Sequence, residues 1–111
     1  MIESIVRDYL LTALSAPVFI DVPSDPPGSY VVIERTGGGM EEHIRNAMVA
    51  IQSYGETRLQ AATLHEQILA EMQDLIELNN VSACTLNAEY DFTDTSTKRY
   101  RYQCVFDIVY Y

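Results

Sequence analysis

The chain has 111 residues, 48% of them hydrophobic and 21% charged, which is typical of one ordinary globular domain and argues against a disordered or fibrous chain. Sixteen acidic side chains against seven basic ones give a net charge of −9, which disfavours tight binding to nucleic acid or to an anionic membrane. No apolar run approaches the roughly 18 residues of a transmembrane helix. Residues 1–4 have no basic leader, so the sequence predicts a soluble cytoplasmic protein.

The N-terminal part of the chain predicts a helix, a short strand and a loop. Apolar residues recur at helical spacing from Ile2 to Leu14, which predicts an amphipathic helix of about 14 residues that Pro17 ends. The apolar run 18–20 predicts a short edge strand. Residues 23–28 contain three prolines and a glycine, and this composition predicts a loop.

Two strands around a glycine triplet are predicted next. Residues 30–36 are apolar and β-branched and predict a strand, and residues 47–54 predict the strand that returns beside it. The triplet 37–39 is predicted to end the first strand and to open a mobile loop over residues 40–43. A phosphate-binding loop would need a lysine and a serine or threonine after the glycines, but Met-Glu-Glu follows, so we interpret the triplet as a connection between strands.

The longest predicted element is a second helix. Thr57 and Gln60 fit a capping box at its start, and Asn79–Asn80 is a plausible end because asparagine tolerates the left-handed conformation. Its predicted apolar stripe consists of Leu64, Ile68, Met72 and Leu75.

Two sets of alternating apolar residues predict a terminal β-hairpin. They are Leu86, Ala88, Tyr90 and Phe92 in the first strand and Tyr100, Tyr102, Cys104, Phe106 and Ile108 in the second. The two sets share a face only if paired residue numbers add to an even value, and 190 or 192 gives a compact turn around residues 94–97. Both registers bring Glu89 and Asp91 close to Arg99 and Arg101, which predicts a charge-complementary face.

The same registers have consequences for the cysteines and for the size of the hairpin. Cys84 lies opposite Phe106 or Ile108 and not opposite Cys104, so both thiols are predicted to be reduced. Residues 99–111 would extend over roughly 43 Å, whereas a globule of this length is roughly 34 Å across. The hairpin must therefore bend or twist, or its tip must project and offer an unpaired edge to a partner.

The sequence carries no recognisable catalytic or metal-binding pattern. His43 and His65 are the only histidines, and neither has a second histidine or a cysteine close by in sequence. No nucleophile elbow or Ser/His/Asp order is present. We therefore predict a protein without enzymatic activity, without a metal site and without a cofactor.

The order of these elements resembles the small tail-terminator (tail-completion) proteins of long-tailed bacteriophages. Three stretches carry the resemblance: Val31–Gly39, Val49–Gly55 with Ala61–Ala62 of the long helix, and Tyr100–Ile108. The resemblance implies a phage or prophage structural protein located at the head–tail junction of the virion, with assembly in the host cytoplasm. It implies a homo-oligomeric ring, typically a hexamer, that caps the tail tube, stops its polymerisation and meets the head connector. DNA would pass through the ring without specific binding.

We therefore expect residues 1–111 to form a single α+β domain, with a mostly antiparallel sheet of four to five strands and two helices on one face. The predicted subunit or tail-tube contacts are Gly37, Gly38, Gly39, Met40, Glu41, Glu42, Arg45, Arg99 and Arg101. Two alternatives stay open. One is a head-completion or connector-adaptor ring protein, and the other is a small ligand-binding or enzymatic α+β domain that uses the open face of the sheet.

Overall fold

The computed structural model describes residues 1–97 and 99–111 and has the predicted α+β architecture. Within these residues two α-helices and five strands follow one another along the chain. They are α1 (Ile2–Ala13), β1 (Val18–Phe19), β2 (Tyr30–Glu41), β3 (Ile44–Gly55), α2 (Arg58–Met72), a 3₁₀ turn (Leu75–Glu77), β4 (Val81–Asp91) and β5 (Tyr100–Tyr110).

The strands form one sheet in the order β1-β2-β3-β5-β4. β1 runs parallel to β2, and the other neighbouring strands are antiparallel. Both helices pack on the same face of the sheet, which we call the helix face; we call the other one the open face. The core between helices and sheet includes Ile2, Val6, Leu10, Val31, Ile33, Val49, Ile51, Leu64, Ile68, Met72, Cys104, Phe106 and Ile108.

Both helices begin where predicted and end earlier than predicted. α1 ends at Ala13 because Leu14 is already extended, four residues before the proline that we expected to end it. At the start of α2 the Thr57 hydroxyl accepts a hydrogen bond from the Gln60 amide at 3.1 Å. The Gln60 side chain accepts a hydrogen bond from the Glu56 amide at 3.0 Å. In a standard capping box it would accept from the amide of the cap residue itself, Thr57. α2 ends at Met72, and the following 3₁₀ turn places Leu75 in the core.

The glycine triplet does not end the strand, so the predicted mobile loop is wrong. β2 continues through residues 37–39 to Glu41 and stays paired with β3, with a bulge between Arg35 and Gly37 that shifts the register. Gly38 has a φ of 141°, a conformation that side-chain-bearing residues rarely adopt, so the glycines allow the strand to bend and continue. The connection itself is a tight turn at Glu42 and His43, both with positive φ.

The terminal hairpin follows the predicted register over half of its length. Ala83 to Leu86 pair with β5 so that residue numbers add to 192, one of the two predicted sums, and Cys84 lies opposite Ile108, one of its two predicted partners. A bulge between Leu86 and Ala88 then shifts the sum to 193. Every residue of β4 beyond the bulge therefore lies on the opposite face from the one predicted.

The predicted charge-complementary face does not form, because the bulge changes the neighbours of both acidic residues. Asp91 lies opposite Tyr102 and forms an ion pair with Arg58 of α2 at 2.9 Å. Glu89 lies opposite Cys104 and faces α2.

The length of the hairpin is accommodated by the shape of the whole chain. The principal-axis extents are 44 × 25 × 24 Å, so the molecule is elongated. Bulges in β4 at two places also bend the hairpin. The terminal strand, which is longer than the diameter of a spherical domain of this size, therefore fits along the long axis of the molecule.

Candidate functional site

The predicted contact residues Gly37–Gly39, Met40, Glu41, Glu42 and Arg45 come together at one end of the sheet. They form the last part of the β2–β3 hairpin, which we call the hairpin tip and which comprises residues 37–48. Met40 is 65% exposed, and Ile44 and Met48 of the same segment are also exposed. The tip thus combines exposed apolar side chains with two exposed carboxylates at its turn.

β2 also presents a free backbone edge that leads to the tip. β1 is only two residues long and pairs with Val31 and Val32. Among the described residues no strand pairs with the outer edge of β2 from Ile33 to Glu41, although its inner edge is paired with β3. Unpaired amide and carbonyl groups on a sheet edge are a template for a further strand. We call this segment the β2 edge.

Arg99 and Arg101 do not join the hairpin tip. Arg101 pairs with Tyr54, whereas Arg45 at the tip pairs with Tyr110. Nine residues of β3 separate these two places, which is roughly 30 Å along an extended strand. The predicted contact residues therefore fall into two groups at opposite ends of the sheet.

The guanidinium of Arg101 is engaged within the chain. It donates from Nε to the carbonyl of Phe92 at 2.8 Å and from Nη1 to the hydroxyl of Tyr54 at 2.9 Å. The Phe92 ring centroid lies 4.4 Å from the guanidinium carbon, a cation–π distance. Arg99 is exposed and bridges to Asp94 through backbone hydrogen bonds. Arg99 is therefore the better placed of the two for contact with a partner.

The open face carries a belt of aromatic and amide side chains that crosses all five strands and that the sequence did not reveal. We call it the open-face belt; its members are Phe19, Tyr30, Gln52, Tyr54, Tyr90, Phe92, Arg101 and Gln103. The rings of Tyr30 and Tyr54 stack with centroids 4.4 Å apart and planes within 4°. Tyr90 and Phe92 reach this face only because of the bulge in β4.

Hydrogen bonds connect the polar members of the belt. Gln52 donates to Gln103 at 2.8 Å, and Gln103 donates to the hydroxyl of Tyr90. The Tyr54 hydroxyl donates to Gln52 at 3.1 Å and accepts from Arg101. Gln52 and Gln103 are buried although neither α1 nor α2 packs on this face, because the neighbouring belt residues shield them. The belt gives the open face a fixed polar network.

A histidine and two glutamates meet where α2 crosses the terminal hairpin. His65 is only 2% exposed, and its Nε2 lies 3.1 Å from Oε1 of Glu89. Glu66 is the third member: one ligand atom from each residue lies within 4.8 Å of the others. The local sequence around His65 does not indicate this cluster, because Glu89 faces α2 only after the bulge shifts the register.

The two thiols are free, as predicted. Burial raises the pKa of Cys84 to about 11 and that of Cys104 to about 12. The sulfur of Cys104 lies 3.7 Å from the carbonyl oxygen of Ile51 in the core. Both groups are therefore neutral at physiological pH and poor nucleophiles.

The cavities of the described surface are shallow and open to solvent. Their volumes run from about 290 to about 400 Å³. The largest of these lies beside the His65 cluster and is lined by Glu66, Glu89, Cys84, Leu86 and Phe106, among others. Sites for small molecules usually enclose most of the ligand, and this shape is not typical of them.

Comparison with known proteins gives no family assignment: the chain matches no family model and no curated protein sequence. Among the described residues no helix has the length and apolar character needed to cross a bilayer.

Proposed function

We propose that this chain is a structural subunit of a bacteriophage or prophage particle that forms a ring at the head–tail junction, caps the tail tube and terminates its polymerisation. The observation that carries the proposal is the β2 edge, an uncovered sheet edge that ends in the exposed hairpin tip. A monomer gains nothing from leaving such an edge exposed, whereas an assembly can cover it.

A ring follows if the β2 edge meets a different surface of the next subunit. Two copies that paired through the same edge would form a closed two-fold dimer, whereas a heterologous contact can close into a ring. β4 at the other side of the sheet is the obvious counterpart, because it is the second outer strand.

The charge of the chain suits a ring through which DNA passes. Each copy carries −9, so six copies would carry about −54. Acidic walls repel the phosphate backbone, and DNA would move through without adhering.

The hairpin tip is the proposed contact to the tail tube. Met40 and Ile44 supply exposed apolar area, and Glu41 and Glu42 supply charge that selects a basic partner surface. Interfaces combine an apolar buried core with a polar rim, so Met40 and Ile44 would form the core of this contact and Glu41 and Glu42 its rim.

The test is a tube-capping assay with a purified tail-tube protein from a long-tailed bacteriophage. We expect the purified chain to bind the ends of growing tubes and to stop their elongation, measured as tube length by electron microscopy. The variant Glu41→Lys/Glu42→Lys should lose capping, and the matched control Asp74→Lys/Glu77→Lys, with the same charge change on the helix face, should retain it. Binding to head connectors instead of tube ends would favour the connector-adaptor alternative. Binding to neither would contradict the proposal.

A further inference from the structure

We propose that His65, Glu66 and Glu89 form a binding site for a divalent transition-metal ion, with Zn²⁺ as the best match to the donor set. The site joins α2 to the outer half of β4. It is independent of the ring proposal and concerns a different part of the molecule.

The donor atoms are close to the arrangement that a metal requires. The three candidate ligand atoms lie within 4.8 Å of one another. A tetrahedral zinc site with bonds of about 2.0–2.1 Å needs donor atoms roughly 3.3 Å apart. The His65 Nε2 and Glu89 Oε1 atoms already meet this requirement at 3.1 Å. Glu66 is exposed, so its carboxylate can rotate inward without disturbing the core.

The fold holds the imidazole rigidly in this place. His65 lies among the apolar residues by which α2 packs on the sheet, where its ring centroid is 5.2 Å from that of Tyr102. Its Nδ1 atom has no hydrogen-bond partner among the described residues, so the ring is held by packing and by the contact of its Nε2 with Glu89. Because metal-bound histidines usually donate their second N–H to a partner, we expect weaker binding here than in structural zinc sites with four protein ligands.

The bulge in β4 is what completes the donor set. In an unbulged register Glu89 would lie on the open face, far from α2; the shift after Leu86 turns it towards His65. Imidazole nitrogen combined with carboxylate oxygen suits zinc and its neighbours in the first transition series, and it suits calcium or magnesium poorly.

The fourth coordination position would face solvent. The adjoining cavity of about 400 Å³ is lined by Glu66 and Glu89 on its polar side. It can hold a water molecule on the metal, which gives three protein ligands and one water.

The experiment uses the full chain after treatment with a chelator and titrates it with Zn²⁺. Two histidines give two imidazole Cε1–Hε1 signals in a ¹H–¹³C NMR spectrum, and the variant His43→Gln assigns them. We expect the His65 signal to shift and the His43 signal to stay, with one ion bound per chain by calorimetry.

Variants separate this site from adventitious binding. Glu66→Gln should weaken zinc binding by roughly 10-fold or more because an anionic ligand is lost. The control Glu77→Gln removes the same charge from an exposed position outside the cluster and should bind like the natural chain. His43→Gln should also bind normally. A shift of the His43 signal alone, equal binding by the Glu66→Gln variant, or no shift of His65 at millimolar zinc would overturn the proposal.

Discussion

Gly38 has the backbone conformation that allows β2 to continue through the glycine triplet to Glu41. Its φ of 141° is a region that residues with a side chain rarely adopt. A Cβ atom at this position would also collide with the backbone of Asn46 and lie 2.9 Å from the Cα of Ala47. Two independent constraints therefore require glycine here.

We predict that Gly38→Ala lowers the free energy of unfolding by about 1–3 kcal/mol because it imposes backbone strain and a steric clash. The matched control is Gly39→Ala, where the nearest atom to the new Cβ would be 3.8 Å away. This variant should remain within about 0.5 kcal/mol of the natural chain. Urea unfolding followed by far-ultraviolet circular dichroism measures both. Equal effects of the two substitutions would contradict the strained geometry.

The glycine triplet continues a strand where its composition predicts a loop. Three consecutive glycines are a strong local signal for a loop, because glycine has unusual conformational freedom. The chain uses this freedom to bend a strand at a bulge, which depends on pairing with β3 and on Asn46, whose side chain accepts a hydrogen bond from the Gly39 amide at 2.8 Å. Such long-range partners are not visible in a local pattern.

At the level of elements, the open-face belt covers the face of the sheet on which neither α1 nor α2 packs. The Tyr54 hydroxyl is its central link because it contacts both the buried amide of Gln52 and the guanidinium of Arg101. Removing this one oxygen leaves a buried amide oxygen of Gln52 without its Tyr54 donor.

We predict that Tyr54→Phe lowers the free energy of unfolding by about 1–2 kcal/mol, the usual cost of breaking a buried hydrogen bond on one side. Tyr111→Phe is the control, since it removes the same atom from a side chain that is 64% exposed. The control should be neutral in the same chemical denaturation experiment. If the two variants were equally stable, the hydrogen bonds of the Tyr54 hydroxyl would not contribute to stability.

The elements differ in how far their sequences predicted them. The starts of both helices followed from apolar spacing and from the Thr57 cap, which are local signals. The pairing of Ala83 to Leu86 with β5 followed from alternation, and Cys84 lies opposite Ile108, one of the two partners predicted for it. The pairing beyond Leu86 could not be predicted, because no local sequence signal marks the extra residue at the bulge. That residue moves every side chain beyond it to the opposite face of the sheet. The open-face belt and the His65 cluster both depend on that reversal.

At the scale of the whole molecule, the fold is an elongated body with a free edge on one side of its sheet. The predicted α+β class, with both helices on one face, is confirmed. The two groups of predicted contact residues lie at opposite ends of the sheet, so each would meet a different partner surface. In the proposed ring the hairpin tip meets the tail tube, and Arg99 at the other end is available to the head side or to a neighbouring subunit.

The mass of the purified protein across a concentration series, measured by light scattering with negative-stain images of the largest species, tests the proposed assembly most directly. We predict closed rings of about six copies that become more populated as concentration rises. A stable two-fold dimer would contradict the proposal, because in an isologous contact the same surface of both subunits is buried and no further subunit can be added to form a ring. A chain that remains monomeric at every concentration, and also in the presence of tail-tube protein, would contradict it equally.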